Sequence, residues 1–180
     1  NIGAKSPEES GYYLSWGEVE QKSYYYWDTY KYSGDADSTF TKYCFDSEYG
    51  KDGFTDTKTT LDPQDDAATM NWGGNWRMPT AKEAKELYDC CKWTWTTQNG
   101  IPGYEVMGLN GNSIFMPAAG FYMGTPQCSY YGSNGSYWTA SAFTGEKTGS
   151  AYYILMTSGR GFRLDYTSYH SAHPIRPVTE

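Results

Sequence analysis

The clearest periodic stretch lies mid-chain. Thr80-Ala81-Lys82-Glu83 has the form of a capping box, and Ala84, Leu87, Tyr88 and Cys91 follow at i, i+3, i+4 and i+7. This spacing predicts a helix whose apolar face, Cys91 included, is buried. A shorter helix is expected over Asp62 to Asn71, with Asp62 as cap, Pro63 at the first helical position, and Asp65 and Asp66 at the positive end of the dipole. It should stop near Gly73-Gly74. After the second helix the period changes to two, in Trp93 and Trp95, Tyr104 and Val106, then Ile114 and Met116. Leu109-Asn110-Gly111-Asn112 sets Asn-Gly where a tight hairpin needs positive φ. Further strands are expected at Tyr137 to Ser141, Ala151 to Thr157, Gly161 to Tyr166 and Ile175 to Val178. The first sixty residues interleave Gly, Ser, Asp and Tyr without a sustained helical period, and read as loops and short strands. Two helices followed by antiparallel strands, with much irregular loop, make an α+β domain.

At 180 residues the chain fits one domain spanning 1–180. Aromatic residues change the picture: 19 Tyr, 7 Trp and 7 Phe make 18% of a chain whose mean hydropathy is only -0.74. Tyrosine suits recognition surfaces, because it offers large contact area at small rotamer cost. The same rings also serve to fill a loop-heavy core, and composition alone leaves the two readings level. A net charge of -7 argues against a phosphate-backbone partner, so no nucleic acid is expected. No apolar run approaches the roughly eighteen residues of a membrane span, and no direct membrane insertion is expected. The opening NIGAKSPEESGYYLSWGEVE lacks the segments of a signal peptide, so a soluble, mature or trimmed form is expected.

Little in the chain points to catalysis. Cys44, Cys90, Cys91 and Cys128 show no CxxC spacing, which disfavours a thiolate metal site and leaves bridged or free thiols open. His170 and His173 are the only histidines available as bases; no GxSxG elbow accompanies them, and they read as solvated surface residues. Their spacing, just before Pro174, fits no two-histidine metal site. The acidic groups Asp35-Ala36-Asp37 and Asp62 to Asp66 lack the DxDxDG calcium loop, and read as a turn and a helix start. Glycoside hydrolysis needs two facing carboxylates, which a linear sequence does not display. Gly108 to Ser113 and Ser158 to Arg163 lack the strand, loop and helix order that cradles phosphate. The expectation is no enzyme, no cofactor and no metal.

The stretch WGGNWRMPTAKEAKEL, Trp72 to Leu87, resembles the hallmark of the Fibrobacter succinogenes major paralogous domain family. NSIFMPAAGFY (Asn112 to Tyr122), SYWTAS (Ser136 to Ser141), PIRPV (Pro174 to Val178) and the opening NIGAKSPEESGYYLSWGE are similar to further family motifs in the same order. The resemblance covers nearly the whole chain. It implies a C-type lectin-like fold of the kind shared with formylglycine-generating enzymes, in secreted or surface proteins of gut bacteria and their phages. It also implies a chain that begins inside a longer protein. Trp72, Trp76, Pro79, Pro117, Gly120, Trp138, Arg176 and Pro177 would then pack the core and its turns, with no binding role.

Some proteins of that fold are diversified by retroelements that change Asn codons into other NNY codons, which cannot encode Lys, Glu, Gln, Met or Trp. Thr157 to Val178 contains none of these five types. If Tyr152, Ile154 and Met156 face the core, Tyr153, Leu155 and Thr157 face outward, and an outward Leu needs a reason. RGFRLDYTSYHSA then mixes Arg, Phe, Asp, Tyr, His and Ser without a clean period, a mixture enriched at binding hot spots. These readings nominate a ligand-binding face of Tyr153, Leu155, Thr157, Arg160, Phe162, Arg163, Asp165, Tyr166, Ser168, Tyr169, His170 and Ser171. The expected function is noncatalytic binding of a protein or glycan on a cell or phage-host surface, from an extracellular, cell-surface or virion-tail location. The rivals are a fixed-specificity adhesin, a carbohydrate-binding lectin, and a structural subunit of a fibre or phage tail. An enzyme by analogy with the formylglycine-generating relatives has Cys128 as its nearest local candidate.

Overall fold

A computed structural model of the protein describes residues 1–34, 39–145 and 148–179. The Asp35-Ala36-Asp37 turn lies outside them. The architecture is mixed α and β, in the order β1 (Leu14–Ser15), α1 (Ala67–Trp72), β2 (Trp76–Arg77), α2 (Ala81–Cys90), β3 (Lys92–Gln98), β4 (Ile101–Met107), β5 (Ser113–Pro117), β6 (Asn134–Ala142), β7 (Ser150–Thr157), β8 (Gly161–Ser168), β9 (Ala172–His173) and β10 (Val178–Thr179). All pairings between these strands are antiparallel, in two three-stranded sheets, β3-β4-β5 and β6-β7-β8, and two small pairs, β1-β9 and β2-β10. The first sixty residues are mostly irregular, as expected.

The first helix is broken where one continuous element was expected. Pro63–Asp65 is a single 3-10 turn, Asp66 leaves the helical region, and α1 begins at Ala67. Asp66, not Asp62, caps the helix: its carboxylate accepts from the Ala68 and Thr69 amides, and also from the Met78 amide. The break has a cause in Asp65, which is fully buried and receives Lys31, Lys42, Tyr32 and Tyr43. Burial alone would raise the Asp65 pKa, but the hydrogen bonds, led by Lys42, hold it down at about 2.

α2 starts at the expected capping box. Thr80 Oγ1 accepts from the Glu83 amide, Glu83 accepts from the Thr80 amide, and Arg77 grips the same carboxylate through both terminal nitrogens. Its apolar face is less covered than the spacing suggested. Ala84 is buried, Leu87 and Cys91 are half-buried, and Tyr88 remains 41% exposed while stacking on Phe162 at 4.6 Å. All four cysteines are free.

The tight hairpin is also displaced. Asn99 (φ 49°) and Gly100 (φ 83°) join β3 to β4, both at positive φ as a two-residue type I′ connection requires. At the expected site only Gly111 has positive φ, and β4 reaches β5 through a longer loop closed by the Gly108 amide on Asn112 O. The final strand shrinks to Val178–Thr179, because Pro174 and Pro177 have no N–H to give a ladder.

The β6-β7-β8 sheet divides two cores. Tyr137, Ile154, Met156 and Phe162 pack with Ala84, Tyr104, Val106 and Met116 on the α2 side. Trp138 lies in the other cluster, with Leu14, Trp16, Tyr30, Phe40, Tyr43 and Tyr169. There the polar tips of the rings are tied to backbone: Trp16 Nε1 donates to Thr139 O, Trp138 Nε1 to Leu14 O, and Tyr30 OH to Trp16 O. Much of the aromatic content therefore fills a core built under loops. Of the motif residues, Pro79, Pro117, Gly120, Trp138 and Pro177 are buried. Gly120 (φ 63°) admits no side chain, since a Cβ would stand 2.2 Å from Ser129 O. Trp72 and Trp76 correct the expectation: they are 44% and 37% exposed, edge to face at 4.9 Å.

Candidate ligand-binding face

The register of β7 with β8 sorts the nominated residues. Ile154 pairs with Leu164 and Met156 with Phe162, facing α2, while Tyr153 pairs with Asp165 and Leu155 with Arg163, facing the opposite way. Of the second set Arg163 is exposed, and Tyr153, Leu155 and Asp165 are half-buried. The Thr157 carbonyl accepts from the Arg160 amide in the connecting turn. Leu155, Thr157, Arg160, Gly161, Phe162 and Arg163 together line a cleft of about 110 Å³. Arg163 and Asp165, two apart on one strand face, are ion-paired at 2.6 Å.

Tyr153 anchors the inner end of this face. Its ring lies 6.2 Å from Trp138 and 5.0 Å from His173, and burial, with the Asp165 charge adding, pushes its phenol up to about 12. From His173 the ring contacts continue to Phe121 at 5.3 Å and from Phe121 to Tyr130 at 5.9 Å, both stacked. Tyr130 is 61% exposed and held at φ 59°, a conformation few non-glycine residues adopt. Phe121 and Tyr130 were not nominated from sequence. The signal was slight, an aromatic pair in a loop after Pro-Ala-Ala-Gly.

Six of the twelve nominated residues thus come together: Tyr153, Leu155, Thr157, Arg160, Arg163 and Asp165. The other six do not join that face, although Phe162 contributes to the lining of the cleft. Phe162 is buried against Tyr88 and Trp93, since its pairing with Met156 turns it toward α2. Tyr166 pairs with Tyr152 and stacks on Phe143 at 3.9 Å, on the side away from Arg163. Ser168 sits at the far end of β8, opposite Ser150. Tyr169, His170 and Ser171 are buried, because the chain turns inward after β8. Tyr169 stacks on Trp16 at 4.5 Å, and the His170 ring lies 4.4 Å from Trp27.

Both histidines are interior, which overturns the expectation of solvated rings. Burial, with Lys22 adding, lowers His170 to about 4, and burial lowers His173 to about 3. Cys128 Sγ lies 3.3 Å from Ala119 O and 3.8 Å from Tyr13 OH, and burial pushes its thiol up rather than toward thiolate. Among the described residues no group of three or more His, Cys, Asp or Glu side chains is placed to hold a metal ion, and no helix is long and apolar enough to cross a membrane. The β7-β8 face and its turn carry two guanidinium groups, a carboxylate, an aliphatic side chain and the Tyr153 ring. No family model, no curated protein and no solved structure matches this chain.

Proposed function

We propose that this chain is a noncatalytic ligand-binding domain on a C-type lectin-like scaffold, presenting Tyr153, Leu155, Thr157, Arg160, Arg163 and Asp165 to a protein or glycan at a cell or virion surface. The observation that carries the reading is the β7-β8 register, which puts Tyr153, Leu155, Thr157, Arg163 and Asp165 on one face of the sheet, with Arg160 in the turn that joins the two strands. Arg160 and Arg163 offer donors in fixed forks, Tyr153 offers a ring, and Leu155 gives the face an apolar centre. Affinity comes from the Tyr153 ring and Leu155, and specificity from the charges.

Protein and glycan arrays test this. The double variant Leu155→Glu/Arg163→Glu should lose the array signals of the parent at least tenfold while keeping its denaturation midpoint. An unchanged array profile from the folded variant would count decisively against this face.

Retroelement diversification belongs to the same proposal, supported by the absence of the five amino-acid types from Thr157 to Val178. Burial narrows it, because a core that holds Tyr169 to Ile175 tolerates few substitutions. Across independent isolates, variation should be concentrated between Tyr153 and Asp165. An invariant gene end without a neighbouring near-copy favours the second reading, a fixed-specificity adhesin, which the burial of nine of the 22 residues from Thr157 to Val178 supports.

A further inference from the structure

A cavity of about 560 Å³ lies away from the β7-β8 face, between α2, β5 and the C-terminal segment. Its size falls among those of sites for small organic ligands. Leu87, Ile114, Met116 and Ile154 supply apolar wall, and Trp72 and Trp76, both partly exposed, stand where the cavity meets solvent.

Its charges are unbalanced. Glu83 is committed to Arg77 and to the Thr80 amide and hydroxyl. Glu86 is 61% exposed, with Lys82 at 3.9 Å. Arg176 also lines the cavity, is half-buried, and makes no hydrogen bond or ion pair among the described residues. A guanidinium withdrawn from water without an anion is costly, and a carboxylate is the group that fits its fork with two parallel hydrogen bonds.

We infer that this cavity is a second binding site, for an apolar monocarboxylate such as a medium-chain fatty acid, with Arg176 holding the carboxylate and the wall of Leu87, Ile114, Met116 and Ile154 holding the chain. Trp72 and Trp76 close over the bound molecule, so their fluorescence reports its entry. The site is independent of the β7-β8 face.

The test is titration of the protein with decanoate and, separately, with decan-1-ol, below their aggregation limits, followed by tryptophan fluorescence and calorimetry. Decanoate should bind saturably at one per chain, at least tenfold tighter than the alcohol. Arg176→Gln should bring the acid down to the alcohol's affinity and leave the alcohol unchanged. Leu87→Trp, which fills the cavity from α2 and spares Arg176, should abolish binding of both. Should Arg176→Gln fail to fold, the comparison of acid with alcohol on the parent protein still decides the role of the charge. Absence of saturable binding, equal affinity for acid and alcohol, or undiminished binding in folded Leu87→Trp would each overturn the proposal.

Discussion

β8 and the five residues that follow it are both mixtures of polar and aromatic residues, yet they lie in opposite environments. In β8, Arg163 and Tyr166 meet solvent and Asp165 is half-exposed, because the strand has a neighbour on one side only. From Tyr169 to His173 every residue is buried. The Tyr169 carbonyl accepts from the Trp16 amide, its amide donates to Gly149 O and its hydroxyl to Tyr43 O, and β9 pairs with β1. The covering comes from the irregular first third of the chain. Residue type therefore says little about exposure here; the long-range partner decides it. The sharpest test compares two tyrosines three residues apart. Tyr169→Ala should cost about 4 kcal/mol in denaturant unfolding, as for other buried aromatic truncations. Tyr166→Ala, which loses an exposed stack on Phe143, should cost about 1 kcal/mol. Equal costs would break the comparison.

Acid should weaken the inward segment selectively. The folded-state pKa values of His170, about 4, and His173, about 3, lie below the unfolded value of about 6.5. Between these limits the unfolded chain binds more protons, so their contribution is complete above about pH 6.5 and is lost as pH falls toward 4 and then 3. Asp65 and Glu83, both held at about 2, act in the same direction but only below about pH 4.5. Unfolding free energy should thus drop between pH 7 and pH 4.5, by on the order of 1–2 kcal/mol per ring. A flat profile over that range would show that these rings reach water.

At Tyr153 the two regions meet, since its ring touches buried His173 while its strand neighbours are open. Tyr153→Ala should have an intermediate effect on stability, about 2 kcal/mol by calorimetric or denaturant melting, and should also reduce array binding. A loss of binding without a loss of stability would place the ring wholly on the outer face.

What was legible in the sequence follows from range. The capping box at Thr80 and the alternation of β3, β4, β7 and β8 are local signals; β3 and β4 formed around their alternating rings, and α2, β7 and β8 formed within a residue or two of their expected ends. The outward direction of Leu155 and Thr157 was legible too, because it follows from strand parity once Met156 is in the core. The break at Asp66 was not, since it is set by Lys31, Lys42, Tyr32 and Tyr43, more than twenty residues upstream. Nor was the interior fate of Tyr169 to Ser171, which depends on Trp16, Trp27 and Tyr43. The exposure of Trp72 and Trp76 is not legible either, since the family resemblance implies core packing for both while here they border a cavity.

The smallest effect on stability should come from the face itself. Arg163 and Asp165 form an ion pair with side chains 67% and 29% exposed, and solvent screens such a pair to within about 0.5 kcal/mol. The contrast is Asp65, whose carboxylate has no exposure and whose partners hold two loops to the first helix. Arg163→Ala should therefore leave the unfolding midpoint unchanged while lowering array binding, because the guanidinium has work to do only when a ligand displaces water from it. If Arg163→Ala instead destabilised the fold as much as Tyr153→Ala, the edge strand would be part of the core's support rather than a surface left free for recognition, and the division between β8 and the segment after it would fall.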